Sequence, residues 1–81
     1  MNVLIVDDEL VLIKGLKYSL EQDGYGVDSA IEGNEALRKI ALNEFDIVIL
    51  DLFLPDMDGL DACQKIREIS NVPLIILTSS N

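Results

Sequence analysis

The chain has 81 residues, 15 of them acidic and 6 basic, for a formal charge of −9. That length supports one small domain at most, and the acidic balance argues against direct nucleic-acid or anionic-membrane binding, both of which need a basic surface. Histidine is absent, which removes His-ligated metal sites, Ser–His catalysis and phosphohistidine chemistry from this chain.

In chain order, strand and helix signals alternate without a linker, repeat or low-complexity segment. A first strand covers Asn2 to Val6, apolar from Val3 to Val6. A first helix is expected from Glu9 to about Gln22, with Asp7 or Asp8 available as a cap. Leu12, Ile13, Leu16 and Leu20 recur on it at helical spacing, and Gly24 supplies a stop. A second strand, Tyr25 to Ala30, is more polar and contains a glycine, as suits a sheet edge. Gly33-Asn34 opens a second helix, Glu35 to about Leu42, with Leu37, Ile40 and Ala41 facing inward.

The third strand, Asp46 to Leu50, is again apolar along its length. A loop follows, signalled by Pro55 and Gly59. The third helix, Leu60 to about Ile69, carries Leu60, Cys63 and Ile66 on one side. Pro73 ends that connection, and Leu74 to Leu77 form the fourth strand, followed by Thr78-Ser79-Ser80-Asn81. Such alternation makes βαβ units and a parallel sheet with right-handed crossovers. The lone cysteine, Cys63, has no partner for an internal disulfide and fits a reducing compartment. No apolar run reaches the length of a signal peptide or a membrane span, so a soluble cytoplasmic protein is expected.

Asp7-Asp8 ends one apolar run and Asp51 ends another. Acidic residues at the carboxyl ends of two parallel strands can converge in one crevice, where open α/β sheets bind their ligands. Like charges about 4 Å apart cost on the order of 4 kcal/mol per pair at an effective dielectric near 20. Three such pairs rival the roughly 5–15 kcal/mol net stability of a domain. Either some of the carboxylates hold protons or a cation sits among them, and a hard, oxygen-rich site suits Mg²⁺. For Asp7 or Asp8 alone, helix capping is the simpler reading. Asp51 is separated from the next helix by a long loop, and can instead serve as a nucleophile toward phosphorus. Thr78, at the end of the neighbouring fourth strand, places a hydroxyl within reach of a group on Asp51.

The segments Val-Leu-Ile-Val-Asp-Asp-Glu (3–9), Asp-Ile-Val-Ile-Leu-Asp-Leu-Phe-Leu-Pro-Asp-Met-Asp-Gly (46–59) and Val-Pro-Leu-Ile-Ile-Leu-Thr (72–78) resemble those of bacterial response-regulator receiver domains, in that family's order and spacing over the whole chain. The resemblance implies a flavodoxin-like, doubly wound parallel sheet with strand order 2-1-3-4 and three helices, residues 1–81 forming a C-terminally truncated receiver. It implies that Asp51 accepts a phosphoryl group from a sensor histidine kinase. Asp8 matches the direct metal ligand, Asp7 the neighbour that holds Mg²⁺ through water, and Phe53 the residue whose backbone carbonyl completes the metal site. Thr78 matches the switch hydroxyl, and Pro55 and Gly59 the loop that shapes the pocket. The third segment is similar to the subfamily carrying a winged-helix DNA-binding output domain, although no direct nucleic-acid contact is expected of this chain.

The family's lysine at the end of a fifth strand has no counterpart here. Ser79 and Ser80 replace the residues usual after the threonine, and Lys14, Lys17, Lys39 and Lys65 lie within helices. Phosphorylation is therefore expected to be impaired. Self-association through an uncovered sheet face or edge is also expected, and a self-associating fragment without phosphorylation competence is one alternative. A Mg²⁺-dependent aspartyl phosphohydrolase is another, weakened because such enzymes place a second Asp where Phe53 stands. A calcium loop at Asp56-Met57-Asp58-Gly59 fails at Leu54 and Lys65, where Asp and Glu are needed. Flavin binding would need a phosphate-cradling loop after the first strand, where Asp7-Asp8 repel a phosphate unless a metal intervenes.

Overall fold

A computed structural model describes residues 1–77, in the order β1 (Asn2–Val6), α1 (Leu10–Gln22), β2 (Gly26–Ala30), α2 (Gly33–Leu42), β3 (Ile47–Asp51), α3 (Gly59–Ile69) and β4 (Leu74–Leu77). All strand pairings are parallel, in the order β2-β1-β3-β4. That is the order the resemblance implies, with the polar β2 at an edge. Thr78 lies outside the described residues, as do Ser79, Ser80 and Asn81.

Strand alternation sorts the apolar side chains into two clusters. Leu4 and Val6 of β1 and Val48 and Leu50 of β3 pack against Ala36 and Ile40 of α2 and Ala62 and Ile66 of α3. Val3 and Ile5, with the half-buried Ile47 and Ile49, pack against Ile13, Leu16 and Leu20 of α1. Val3 to Val6 are all buried, so β1 is enclosed on both faces as its composition predicts. β3 is apolar in the same way, which predicts cover on both faces too. It is buried on one face and half-buried on the other, where α1 is the one helix among the described residues that covers it. β4 is the least covered strand, with Ile75 47% and Ile76 38% exposed.

Several boundaries differ from the sequence reading. β3 runs one residue further, because Asp51 pairs with Leu77 of β4. α2 starts at Gly33 rather than Glu35, and α1 at Leu10. The expected cap of α1 is not made: Glu9 holds the N-cap position without a side-chain hydrogen bond. Asp7 Oδ1 instead accepts from the Glu9 N–H at 2.8 Å, an Asx turn that bends the chain between strand and helix. Gly24 does stop α1. It has φ +90°, and the Gly24 and Tyr25 N–H groups donate back to Glu21 and Leu20, the glycine-dependent C-terminal motif.

Two residues expected to face inward do not. Ala41 is exposed and Leu60 is 70% exposed. The buried positions of α2 and α3 are Gly33, Ala36, Ile40, Gly59, Ala62 and Ile66; the glycines and alanines let each helix lie close to the sheet, and the two isoleucines fill the core between them.

Candidate functional site

The acidic residues are placed by the strands. Asp7 follows Val6, and its N–H donates to Ala30 O at 3.0 Å, extending the β1–β2 ladder by one residue. Alternation from Val3 and Ile5 puts Asp7 on the α1 side of the sheet. Asp51 follows Ile47 and Ile49 on the same side, one strand over. Asp8 begins the turn into α1. Each of the three offers a carboxylate oxygen within 4.8 Å of the others, with Asp7 buried, Asp8 exposed and Asp51 half-buried. The trio expected from sequence therefore meets in one place.

The cleft around it has a volume of about 430 Å³. Phe53, 65% exposed, lines it, as do Leu12, Leu77 and Glu9. Glu9 was given no role in the sequence reading. Its proximity to Asp7-Asp8 was the available signal, and it adds a fourth carboxylate to the rim.

Asp7 is 3% exposed. Desolvation raises its carboxyl above the ordinary value, and the charges of Asp51, Glu9 and Asp8 push the same way against the Glu9 N–H hydrogen bond. Unit charges 4.8 Å apart cost about 0.9 kcal/mol per pair in water and about 3.5 kcal/mol at an effective dielectric of 20. Among the described residues no lysine or arginine forms an ion pair with the trio. Lys39 is held by Asp28 at 3.0 Å and Glu35 at 3.7 Å, and also donates to Ser29 O. A hard divalent cation fits this donor set of anionic oxygens, one of them on a desolvated carboxylate.

The β3–α3 segment closes the cleft's other side. Phe53 and Asp58 form an isolated antiparallel bridge, and the Gly59 N–H donates to Leu52 O at 2.6 Å. Gly59 is required by space, since a Cβ there would stand 2.5 Å from Leu52 Cα and 2.8 Å from Asp51 O. Asp58 caps α3 by accepting from the Asp61 N–H at 2.9 Å. Asp56 accepts from α2. Both carboxylates that suggested a calcium loop are thus engaged with helix N-termini. Asp58 as a cap was legible from its place before the helix; the reach of Asp56 to α2 was not.

An open parallel α/β sheet carrying an acidic trio at its carboxyl edge defines a flavodoxin-like domain with a candidate divalent-cation centre. Residues 3–81 match the response regulator receiver domain, and the chain belongs to that family. It is similar to the response regulator ArlR of Staphylococcus haemolyticus, with 41% identity over 80 residues, covering 99% of this chain and 36% of that protein. Among solved structures it is similar to the response regulator TrrA from Thermotoga maritima in complex with Mg²⁺–BeF. The TM-score is 0.91 at 37% identity, over 99% of this chain and 70% of that one. A two-component response regulator from Clostridium difficile superposes with a TM-score of 0.96 at 34% identity, over 100% of this chain and 67% of that one. The chain thus spans about a third of the length of its ArlR relative.

Proposed function

We propose that this chain is a phosphoacceptor module of a two-component system, taking a phosphoryl group from a sensor histidine kinase onto Asp51. The observation that carries this reading is the meeting of Asp7, Asp8 and Asp51 within 4.8 Å at the end of the sheet where such folds bind ligands. Asp8 and Asp51 would hold Mg²⁺ directly, Asp7 through water, with the Phe53 backbone carbonyl as a further ligand. Mg²⁺ bound there would screen the repulsion between carboxylates and the incoming phosphoryl group and neutralise charge on its oxygens.

Asp51 supplies the nucleophile. One carboxylate oxygen attacks phosphorus, the histidine N–P bond breaks as the O–P bond forms, and the freed histidine nitrogen regains a proton. Pairing to Leu77 holds the Asp51 backbone at the end of β3, which limits the positions its carboxylate can take toward an incoming phosphoryl group. Thr78, next in sequence to Leu77, is proposed to donate its hydroxyl to the phosphoryl group. Turnover of phosphate esters is not expected, because Phe53 provides no general acid. The setting proposed is the cytoplasm; no described helix is long and apolar enough to cross a membrane.

Beryllofluoride, a phosphoryl mimic, tests this reading. With Mg²⁺, ¹⁹F NMR should give a bound resonance that disappears in Asp51→Asn and Asp8→Asn. A bound resonance that survives both substitutions contradicts it.

A second reading concerns assembly. Ile75 and Ile76 are exposed on β4, and β4 pairs only with β3 among the described residues. An unpaired, apolar edge strand favours pairing with another chain, and a second copy of this chain is proposed as its partner. Light scattering coupled to size exclusion should give a mass that rises with concentration; a constant monomer mass contradicts it.

A further inference from the structure

The loop between β3 and α3 is fastened to α2 by contacts that neither metal binding nor phosphoryl acceptance uses. Asp56 Oδ1 accepts from the Gly33 N–H at 2.7 Å and Oδ2 from the Asn34 N–H at 2.9 Å. Glu32, at the N-cap position of α2, makes no side-chain capping bond. A carboxylate 23 residues further along the chain thus takes two of the helix's orphan donors, at the end where the helix dipole favours negative charge. Desolvation opposes ionisation of Asp56, but the N–H groups of Asn34, Gly33 and Asp56 itself, together with the charge of Lys65, hold the carboxyl below its ordinary value. Beside this contact Met57 lies over Gly33 so closely that a Cβ there would fall 2.5 Å from Met57 Sδ.

The same loop presents Phe53 to the cleft. Its base is closed by the Phe53–Asp58 bridge and the Gly59–Leu52 hydrogen bond, while its tip, Asp56-Met57, is tied to α2. Fixing both base and tip leaves Phe53 little freedom to swing out.

We infer that Asp56 is a positioning residue: by latching the β3–α3 loop to the first turn of α2 it keeps Phe53 set against the carboxylates of Asp7, Asp8 and Asp51, ready for a divalent cation. This rests on the metal reading proposed above. It also carries a reciprocal consequence. If the latched loop is the form that binds the cation, the cation must tighten the latch, which couples the acidic cleft to α2.

The test is Mg²⁺ affinity measured by ¹H–¹⁵N NMR titration of the full chain. Asp56→Ala should weaken Mg²⁺ binding roughly 10-fold, at the low end for groups that orient metal ligands. Asp56→Asn, which keeps one acceptor oxygen, should recover part of the loss. Gly33→Ala, which displaces Met57 from the other side, should weaken binding similarly, and the double variant should be no worse than the poorer single one. In the wild type, saturating Mg²⁺ should slow amide exchange at Gly33 and Asn34, a readout that stands even where a variant fails to fold. Wild-type affinity in the folded variants, or Gly33 and Asn34 exchange indifferent to Mg²⁺, overturns the latch and leaves the metal centre intact. Failure of the wild type to bind Mg²⁺, with Asp8→Asn giving the same null titration, overturns the metal reading and the latch with it.

Discussion

The two faces of the sheet are built from the same kinds of residue and end in different states. On one face two helices enclose Leu4, Val6, Val48 and Leu50. On the other, α1 alone among the described residues covers Val3 and Ile5 but leaves Ile47 and Ile49 half-buried and Ile75 exposed. The difference follows from which face the crossovers fall on, since side-chain alternation assigns each residue to a face. The closed face supplies most of the stabilising burial. The open face is the one whose rows of apolar residues run out into Asp7 and Asp51, so the acidic cleft sits at the end of the less covered face.

Substitutions on each face sharpen the contrast, and the largest effect is expected on the closed one. Leu50→Ala should cost about 2–5 kcal/mol in urea unfolding, since its fully buried site leaves a cavity. An equal loss from Ile75→Ala would break the distinction between the faces.

At the polar end of the open face the effect should reverse sign. Asp7→Asn keeps an acceptor oxygen for the Glu9 N–H while removing a desolvated charge beside Asp51, Glu9 and Asp8. Without divalent cation at neutral pH it should stabilise the fold by about 1 kcal/mol or more, given the pairwise repulsion. Because the folded carboxyl titrates above its ordinary 3.8, the wild type holds its proton more tightly when folded. Its relative stability is therefore full below 3.8 and is lost as pH rises through the raised folded value. The advantage of Asp7→Asn should accordingly appear as pH rises through that window and vanish below it. Thermal melts of both proteins across pH check the sign.

The smallest change in fold stability is expected on β4. Ile75→Ser should alter it by about 1 kcal/mol, as for a half-exposed position at the sheet edge, while shifting the concentration dependence of the mass toward monomer. Unchanged association would locate the interface elsewhere.

Much of this was legible in the sequence. Three apolar runs and one more polar strand, separated by helical spacing, made the element order readable, and the aspartates at the ends of two runs marked the cleft, because a charge that ends a buried strand must emerge at the sheet's edge. The inward faces of α2 and α3 were read less well. Leu60 and Ala41 attracted attention as apolar residues, whereas close approach to the sheet selects Gly33, Ala36, Gly59 and Ala62. The turn after β1 was read as a simple cap, although Asp7 bonds the N–H two residues on and leaves the helix N-cap to Glu9. Asp56 was out of reach for another reason: its partners Gly33 and Asn34 are joined to it only by the tertiary fold, and no local pattern records them.

The central claim is that the meeting of residues 7, 8 and 51 makes Asp51 a cation-assisted phosphoryl acceptor. Intact-mass spectrometry after incubation with acetyl phosphate, followed by peptide mapping of the modified site, tests it most directly. The account predicts a single added phosphoryl group on Asp51, formed only with Mg²⁺ and lost in Asp51→Asn. Modification of another residue, or labelling of Asp51 at the same rate in a chelator, would contradict it.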